Sequence, residues 1–291
     1  MRSAAKRDKD RIVMKTKYSI EDMDRIADEI QSRISFQPGI GLILGSGLGA
    51  LADSVQDPII IPYHDLPGWP ISTVEGHAGE LVIGTLEGKE VLVMNGRIHF
   101  YEGYEMSQVT LPIRVMQRLG IKMILVTNAA GGVNQDFVPG NPMLITDHLN
   151  LLGMAGVNPL RGPNMDEFGT RFPDMSQPYD KELNEIAKKV AKELGITLYE
   201  GIYVCLAGPT FETPADLRFL LNAGVDAVGM STVPEVIVAN HGGQRVLGIS
   251  GITNSSNLYG EAETTHEEVI ETGKILAPKM MDLIRGVLKA L

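Results

Sequence analysis

A chain of 291 residues, 44% hydrophobic and 21% charged, has the composition of an ordinary globular protein and the length to bury a large core. Its net charge of −10, with no basic tract beyond the first seventeen residues, excludes the concentrated cationic face that a nucleic-acid partner requires. The one cysteine, Cys205 in the apolar run GIYVCLAG, excludes an intrachain disulfide and a cysteine-rich zinc site, so a reducing cytoplasm is the expected setting. A lone cysteine among apolar neighbours reads as core before it reads as nucleophile.

Residues 1–17 (MRSAAKRDKDRIVMKTK) are basic but lack the apolar centre of a secretory signal. They read as a disordered extension or an expression remnant, with Met14 as the expected native start, and residues 18–291 as a single catalytic domain. No stretch approaches the roughly 18 consecutive apolar residues of a membrane helix, so no membrane partner is expected.

Ser19 opens a predicted helix in which Ile20, Met23, Ile26, Ala27, Ile30 and Ile34 recur at helical spacing. A short strand, IGLIL (40–44), runs into GSGLG (45–49). Residues 80–94 predict two strands joined by the turn EGK, and if the second stays extended, Arg97, His99 and Tyr101 share one face. Val109, Ile113, Met116 and Leu119 mark a helix ending at Gly120, and KMILVT (122–127) is a strand ending in NAAGG. Residues 153–178, rich in Gly, Pro and Asn, predict a long loop, of a length that is usually functional or disordered. A helix from Leu183 to a Gly195 cap, the strand LYEGIYVCLAG, a helix after GPTFETP, the strand DAVGM and a helix from about Val233 follow. The strand RVLGIS (245–250) then leads to a C-terminal helix starting near Thr264 and interrupted or kinked at Pro278. The alternation predicts an α/β fold: one domain with a central mixed β-sheet flanked by helices.

Polar residues collect where these strands end. Ser46, Arg97 and His99, Asn128 and Ala129, Glu212, Ser231 and Asn254 all lie there, and open α/β sheets bind ligands beyond the carboxyl ends of their strands. Each signal has a plain alternative. GSGLG reads either as a phosphate cradle or as a tight turn, and it lacks both the GxGxxG spacing and a following GK[ST]. Arg97 is either an oxyanion ligand or half of a structural ion pair with Glu80, Glu90 or Glu102. His99 alone reads equally as a satisfied core histidine. Taken together they predict an anion pocket. No aspartate cluster accompanies them, which argues against a magnesium-bound triphosphate, and THEEV (265–269) lacks the second histidine of a zinc protease. No metal and no cofactor are expected, and the pocket suits bare phosphate.

The motifs GSGLG, GHAG (76–79), GRIHFYEGY (96–104), TNAAGG (127–132), GPTFETPA (208–215), GMSTVPE (229–235) and ITNSS (252–256) together resemble those of the trimeric, 6-oxopurine-specific purine nucleoside phosphorylases, from about residue 20 onwards. The resemblance implies reversible phosphorolysis of inosine or guanosine, and of their deoxy forms, to the free base and (deoxy)ribose 1-phosphate. It implies a phosphorylase/hydrolase-like fold, orthophosphate as co-substrate and nucleophile, and no covalent enzyme intermediate. It assigns phosphate contacts to Ser46, His77, Arg97, His99, Asn128, Ala129 and Ser231. It assigns nucleoside contacts to Tyr101, Phe211, Glu212, Val228, Met230, Asn254 and His266, and it implies a homotrimer in which Phe168 enters the neighbouring subunit's site. His99, Glu212 and Asn254 would carry the catalysis. Asn254 favours a 6-oxopurine, because an acid there suits protonating an adenine. As structural residues, Asn254 would be a turn residue, Glu212 a helix N-terminal acid and Phe168 intrachain packing. Alternative readings are a methylthioadenosine phosphorylase of the same fold, a nucleoside-binding protein without catalysis, and a dinucleotide oxidoreductase using GSGLG. The last needs a strand and an acid about twenty residues on, where DPIIIPYHD offers Asp65 but two prolines.

Overall fold

The computed structural model describes residues 17–73, 78–260 and 265–291, with 266–268 described by their backbone. Helix α1 (Ile20–Gln31) begins at Ser19, whose hydroxyl accepts from the Asp22 N–H while Asp22 accepts from the Ser19 N–H. That reciprocal cap satisfies two donors the helix would otherwise leave open. Strand β1 (Ile40–Ile43), the single turn α2 (Gly49–Ala52) and strand β2 (Gln56–Pro62) follow. Strands β3 (Glu80–Leu86) and β4 (Lys89–Asn95) form the expected antiparallel hairpin. Helices α3 (Met106–Val109) and α4 (Leu111–Arg118) end before Gly120, whose φ of +80° is the left-handed conformation expected there. Then come β5 (Met123–Gly132), β6 (Asn141–Leu149), the single turn α5 (Leu151–Met154), an irregular stretch, and α6 (Lys181–Leu194) with its Gly195 cap. Strand β7 (Tyr199–Cys205), α7 (Pro214–Asn222), β8 (Ala227–Gly229), α8 (Val233–His241), β9 (Arg245–Ser255) and α9 (His266–Ala290) complete the chain.

Among the described residues, nine strands form one mixed sheet in the order β2-β3-β4-β1-β5-β8-β7-β6-β9, and β9 also pairs with β5. The ladder from β5 through β8, β7, β6 and β9 therefore closes on itself. Helices α1, α4 and α8 cover one side, around Ile26, Ile30, Ile113, Met116 and Val236; α6 and α9 cover the other, around Leu183, Val190, Leu283 and Val287. This is the mixed α/β architecture that the alternation predicts.

Four local differences have physical reasons. DPIIIP is a strand after all, because β2 lies at the sheet's outer edge beside β3, where prolines need not donate to a neighbour, and Pro58 sits at a register shift. Strands β5 and β9 run on through NAAGG and GITNS, since they pair with each other almost to their ends. Strand β6 carries a sequence, NPMLITDHL, without clear alternation, because both its faces are buried: Met143 and Ile145 enter one core cluster and Leu144 the other. Helix α9 is not interrupted at Pro278: its buried face, Leu276, Met280, Leu283, Ile284, Val287 and Leu288, packs against the body and sustains it.

The β1 exit shows how closely the loops at this end approach. A Cβ on Gly45 would stand 2.8 Å from Asn128 Cα and 3.1 Å from the Thr127 carbonyl oxygen, and the Gly45 N–H donates to Thr127 Oγ1 at 2.8 Å. Since backbone rather than a pliable side chain occupies that space, Gly45→Ala should cost about 1–3 kcal/mol. Urea denaturation of the two proteins checks this.

Candidate active site

Beyond the carboxyl ends of β1, β4, β5 and β9 lies one cavity. Its lining includes Ser46, Arg97, His99, Tyr101, Asn128, Ala129, Phe211, Glu212, Val228, Met230, Ser231 and Asn254. Twelve of the predicted site residues are thus brought together from six separate stretches of chain. Thr253 and Val269 also line it, although neither was predicted as a contact. His77 lies outside the described residues. His266 begins α9, and its side chain lies outside them as well. Phe168 does not reach this cavity. It packs against the main core, and the Arg114 guanidinium stands 4.4 Å from its ring centroid.

The stretch after β4 does not continue as a strand. Gly96 at φ +129° ends the extension, and residues Phe100–Glu102 make a 3₁₀ turn closed by Gly103 at φ +92°. The three side chains still reach one cavity, by this bend rather than by alternation. His99 stacks on Tyr101, with ring centroids 4.7 Å apart and planes 18° from parallel.

Arg97 is 2% exposed, and its predicted ion-pair partners were the wrong ones. The carboxylate it meets is Glu235, with Nε donating to Oε1 at 2.9 Å; Nη1 donates to the Thr127 carbonyl at 2.7 Å and to Ser231 Oγ at 3.3 Å. A buried guanidinium without such partners would be prohibitively costly. Arg97 is therefore both ion-paired and a cavity wall, and the two readings are not exclusive. Glu102, one of the expected partners, serves His99 instead, accepting from its N–H at 2.7 Å and facing its Nδ1 at 3.2 Å. Its other oxygen accepts from the Thr73 backbone and hydroxyl. Burial opposes the Glu102 charge, but the hydrogen bonds from His99 and Thr73 outweigh it and hold the carboxyl at about 2. Burial, with Glu102 adding and Arg97 opposing, pushes the Tyr101 phenol up to about 12, so it stays a neutral donor.

The other wall comes from β5, β7, β8 and β9. Gly131 pairs with Val228 on β8 and Asn254 on β9, which brings three strand ends to one point. The Thr253 hydroxyl donates to Asn254 Oδ1 at 3.0 Å, and a Cβ on Gly131 would lie 3.4 Å from Asn254 Nδ2. With its carbonyl so engaged, Asn254 offers its amide N–H₂ at the cavity face. Burial raises the Glu212 carboxyl above its ordinary value, and Asp216 adds to the effect. Tyr101 and Met230 both approach Gly208. Cys205 is buried in β7, and burial pushes its thiol up, which removes it as a nucleophile. Among the described residues no group of three or more metal-ligating side chains forms, and no helix is long and apolar enough to cross a membrane.

Residues 39–289 match the family model of the phosphorylase superfamily. The chain belongs to this family. Within the superfamily it is 53% identical over 265 residues to purine nucleoside phosphorylase 1 of Bacillus subtilis, covering 91% of this chain and 97% of that protein. It is 46% identical to the rat purine nucleoside phosphorylase, across 96% of this chain and 98% of the other. The crystal structure of the Schistosoma mansoni purine nucleoside phosphorylase in complex with inosine superposes with a TM-score of 0.90 at 45% identity, over 94% of this chain and 97% of that one.

Glu235, Thr127 and Thr253 are the structural contributions to this phosphorylase site that sequence reasoning missed. Glu235 had a visible signal: it stands three positions after Thr232 at the start of a helix, but there it reads as a capping acid. For Glu102 the expected consequence is a pH-dependent stability difference. Its folded value lies below the ordinary carboxylate value, so the ionised form stabilises the fold fully above about pH 4.5 and progressively less as pH falls towards 2. Glu102→Gln should therefore lose less stability than the parent between pH 6 and pH 3, read by urea denaturation at each pH.

Proposed function

We propose that this protein catalyses the reversible phosphorolysis of inosine and guanosine, and of their 2′-deoxy forms, in the cytoplasm. The observation that carries the proposal is the meeting, in one cavity, of an anion-directed set with a purine-directed set. Ser46, Arg97, His99 and Ser231 form the first; Phe211, Glu212 and Asn254 form the second. Membership of the superfamily, and near relatives named purine nucleoside phosphorylases, support the same reading.

The residues then have distinct tasks. Arg97, His99, Ser46, Ser231, Asn128 and the Ala129 backbone hold orthophosphate, with His77 assigned beside it by resemblance. His99 has Nδ1 turned to Glu102, so a bound anion meets the other ring nitrogen. Phosphate itself is the nucleophile at C1′, so the protein needs to orient it rather than to form a covalent intermediate. Tyr101, Val228 and Met230 steady the sugar and base, and His266 is assigned to the 5′-hydroxyl. Charge builds on the purine as the glycosidic bond breaks. The Asn254 N–H₂ donates to N7 or O6 where that charge gathers, and Glu212 accepts from N1–H. A 6-oxopurine offers both features; adenine lacks the N1–H and the O6. Orthophosphate and nucleoside suffice, with no metal or other cofactor.

The test is release of base from inosine, guanosine and adenosine with and without orthophosphate. Hypoxanthine and guanine should appear only with phosphate, with ribose 1-phosphate as co-product. Adenosine cleavage at a comparable rate would overturn the reading of Asn254, and phosphate-independent release would make the enzyme a hydrolase.

We also propose a homotrimer in which Phe168 completes a neighbour's site. Its distance in sequence and space from its own chain's cavity lining, and its place on the irregular stretch between α5 and α6, support this. Light scattering should give three times the chain mass of 31.6 kDa. A monomer at assay concentration would remove Phe168 from the site.

A further inference from the structure

Glu235 is buried to 3% exposure at the third position of α8, and each of its carboxylate oxygens has a separate task. Oε1 accepts from Arg97 Nε at 2.9 Å, and Oε2 accepts from the Thr232 N–H at 2.8 Å. Thr232 is fully buried at φ +75° and ψ −56°, and the Val233 N–H donates to the Ser231 carbonyl at 2.8 Å. That is a γ-turn of the rare, strained hand, and a β-branched residue holds it. Such strain persists only where the surroundings impose it. Here Glu235 takes the turn's backbone N–H, and Asn128 Nδ2 donates to the Thr232 hydroxyl at 2.8 Å.

The strained turn carries Ser231, whose hydroxyl is 3.3 Å from Arg97 Nη1. One carboxylate thus anchors two cavity walls that come from distant parts of the chain, the guanidinium after β4 and the hydroxyl before α8. We infer that Glu235 is a positioning residue for the anion site: it holds Arg97 and Ser231 in register with each other for phosphate, and it does so at the expense of net positive charge. The inference rests on the reading of Arg97 and Ser231 as phosphate contacts.

Positioning and plain electrostatics predict opposite signs, which makes the point testable. Replacing Glu235 with Gln removes a negative charge beside the anion site, so if charge alone mattered, phosphate would bind more tightly. If the carboxylate aligns the two walls, phosphate use must weaken despite the more positive pocket. The experiment is a phosphate titration at saturating inosine and an inosine titration at saturating phosphate, on the parent, Glu235→Gln and Glu235→Asp. Glu235→Gln should raise the phosphate KM by roughly tenfold or more while the inosine KM stays within about twofold, the selectivity expected when one substrate's contacts are misplaced. Glu235→Asp, which keeps the charge on a shorter stem, should lie between Gln and the parent. If Glu235→Gln lacks a cooperative thermal transition, Glu235→Asp must itself show the phosphate-selective rise. A lower or unchanged phosphate KM, or parallel rises for both substrates, would overturn the inference. A parent enzyme that saturates with phosphate while the variants match it sinks this inference alone. A parent indifferent to phosphate sinks the phosphorylase reading and takes this one with it.

Discussion

The buried contact between Arg97 and Glu235 is the constraint around which the cavity is organised. Neither ion could remain in an apolar interior without the other, and 138 residues of chain separate them. The fold must therefore bring the exit of β4 and the entrance of α8 within hydrogen-bond distance before either charge is tolerable. Once it does, the Thr127 carbonyl and the Ser231 hydroxyl fill two more guanidinium directions, and β5 is drawn into the same arrangement. The β1 exit joins through Gly45, which packs against the backbone of Asn128. The anion end of the cavity is thus built from the interior outwards.

The end of the cavity proposed to take the purine is built differently. Among the described residues no ion pair organises it; three strand ends meet at Gly131, Val228 and Asn254, and a register shift in the β5–β9 pairing at Ala130 and Gly131 falls at that point. Backbone hydrogen bonds set the position of Asn254, and the Thr253 hydroxyl stands between its amide oxygen at 3.0 Å and the Ala130 carbonyl at 3.3 Å. Rigid dipoles placed in this way cost little reorganisation when charge develops on a bound base. Chemistry that uses an external nucleophile needs such a scaffold more than it needs a reactive side chain, and the inert thiol of Cys205 is in keeping with it.

Much of this was legible in the sequence. Strand ends could be seen in the sudden change from apolar runs to Gly, Ser, Asn and Arg, so the residues that line the cavity could be named before their geometry was known. Partnerships could not. Arg97 had three acids near it in sequence, and the one it meets is remote, because the meeting of the β4 exit with the start of α8 is a property of topology rather than of spacing. Edge strands and strands buried on both faces were also hidden: β2 breaks the propensity rule with prolines at an edge, and β6 lacks the alternation of a half-exposed strand. The bend at Gly96 shows the same limit at smaller scale. Arg97, His99 and Tyr101 do reach one cavity, but one glycine in a left-handed conformation, not a two-residue period, directs them there.

The closed ladder has one more consequence. A strand with an open edge is a template on which another chain can add a strand, and proteins guard such edges. Among the described residues, β5, β6, β7, β8 and β9 each pair with two neighbours around the ring, while β2 ends the other side with Pro58 and Pro62 and with Asp57 kinked out at φ +48°. Backbone-to-backbone growth of the sheet is discouraged at that margin. A partner meeting this margin would have to engage side chains and loops, whose shapes are specific, rather than a generic hydrogen-bonding edge that would accept any extended segment.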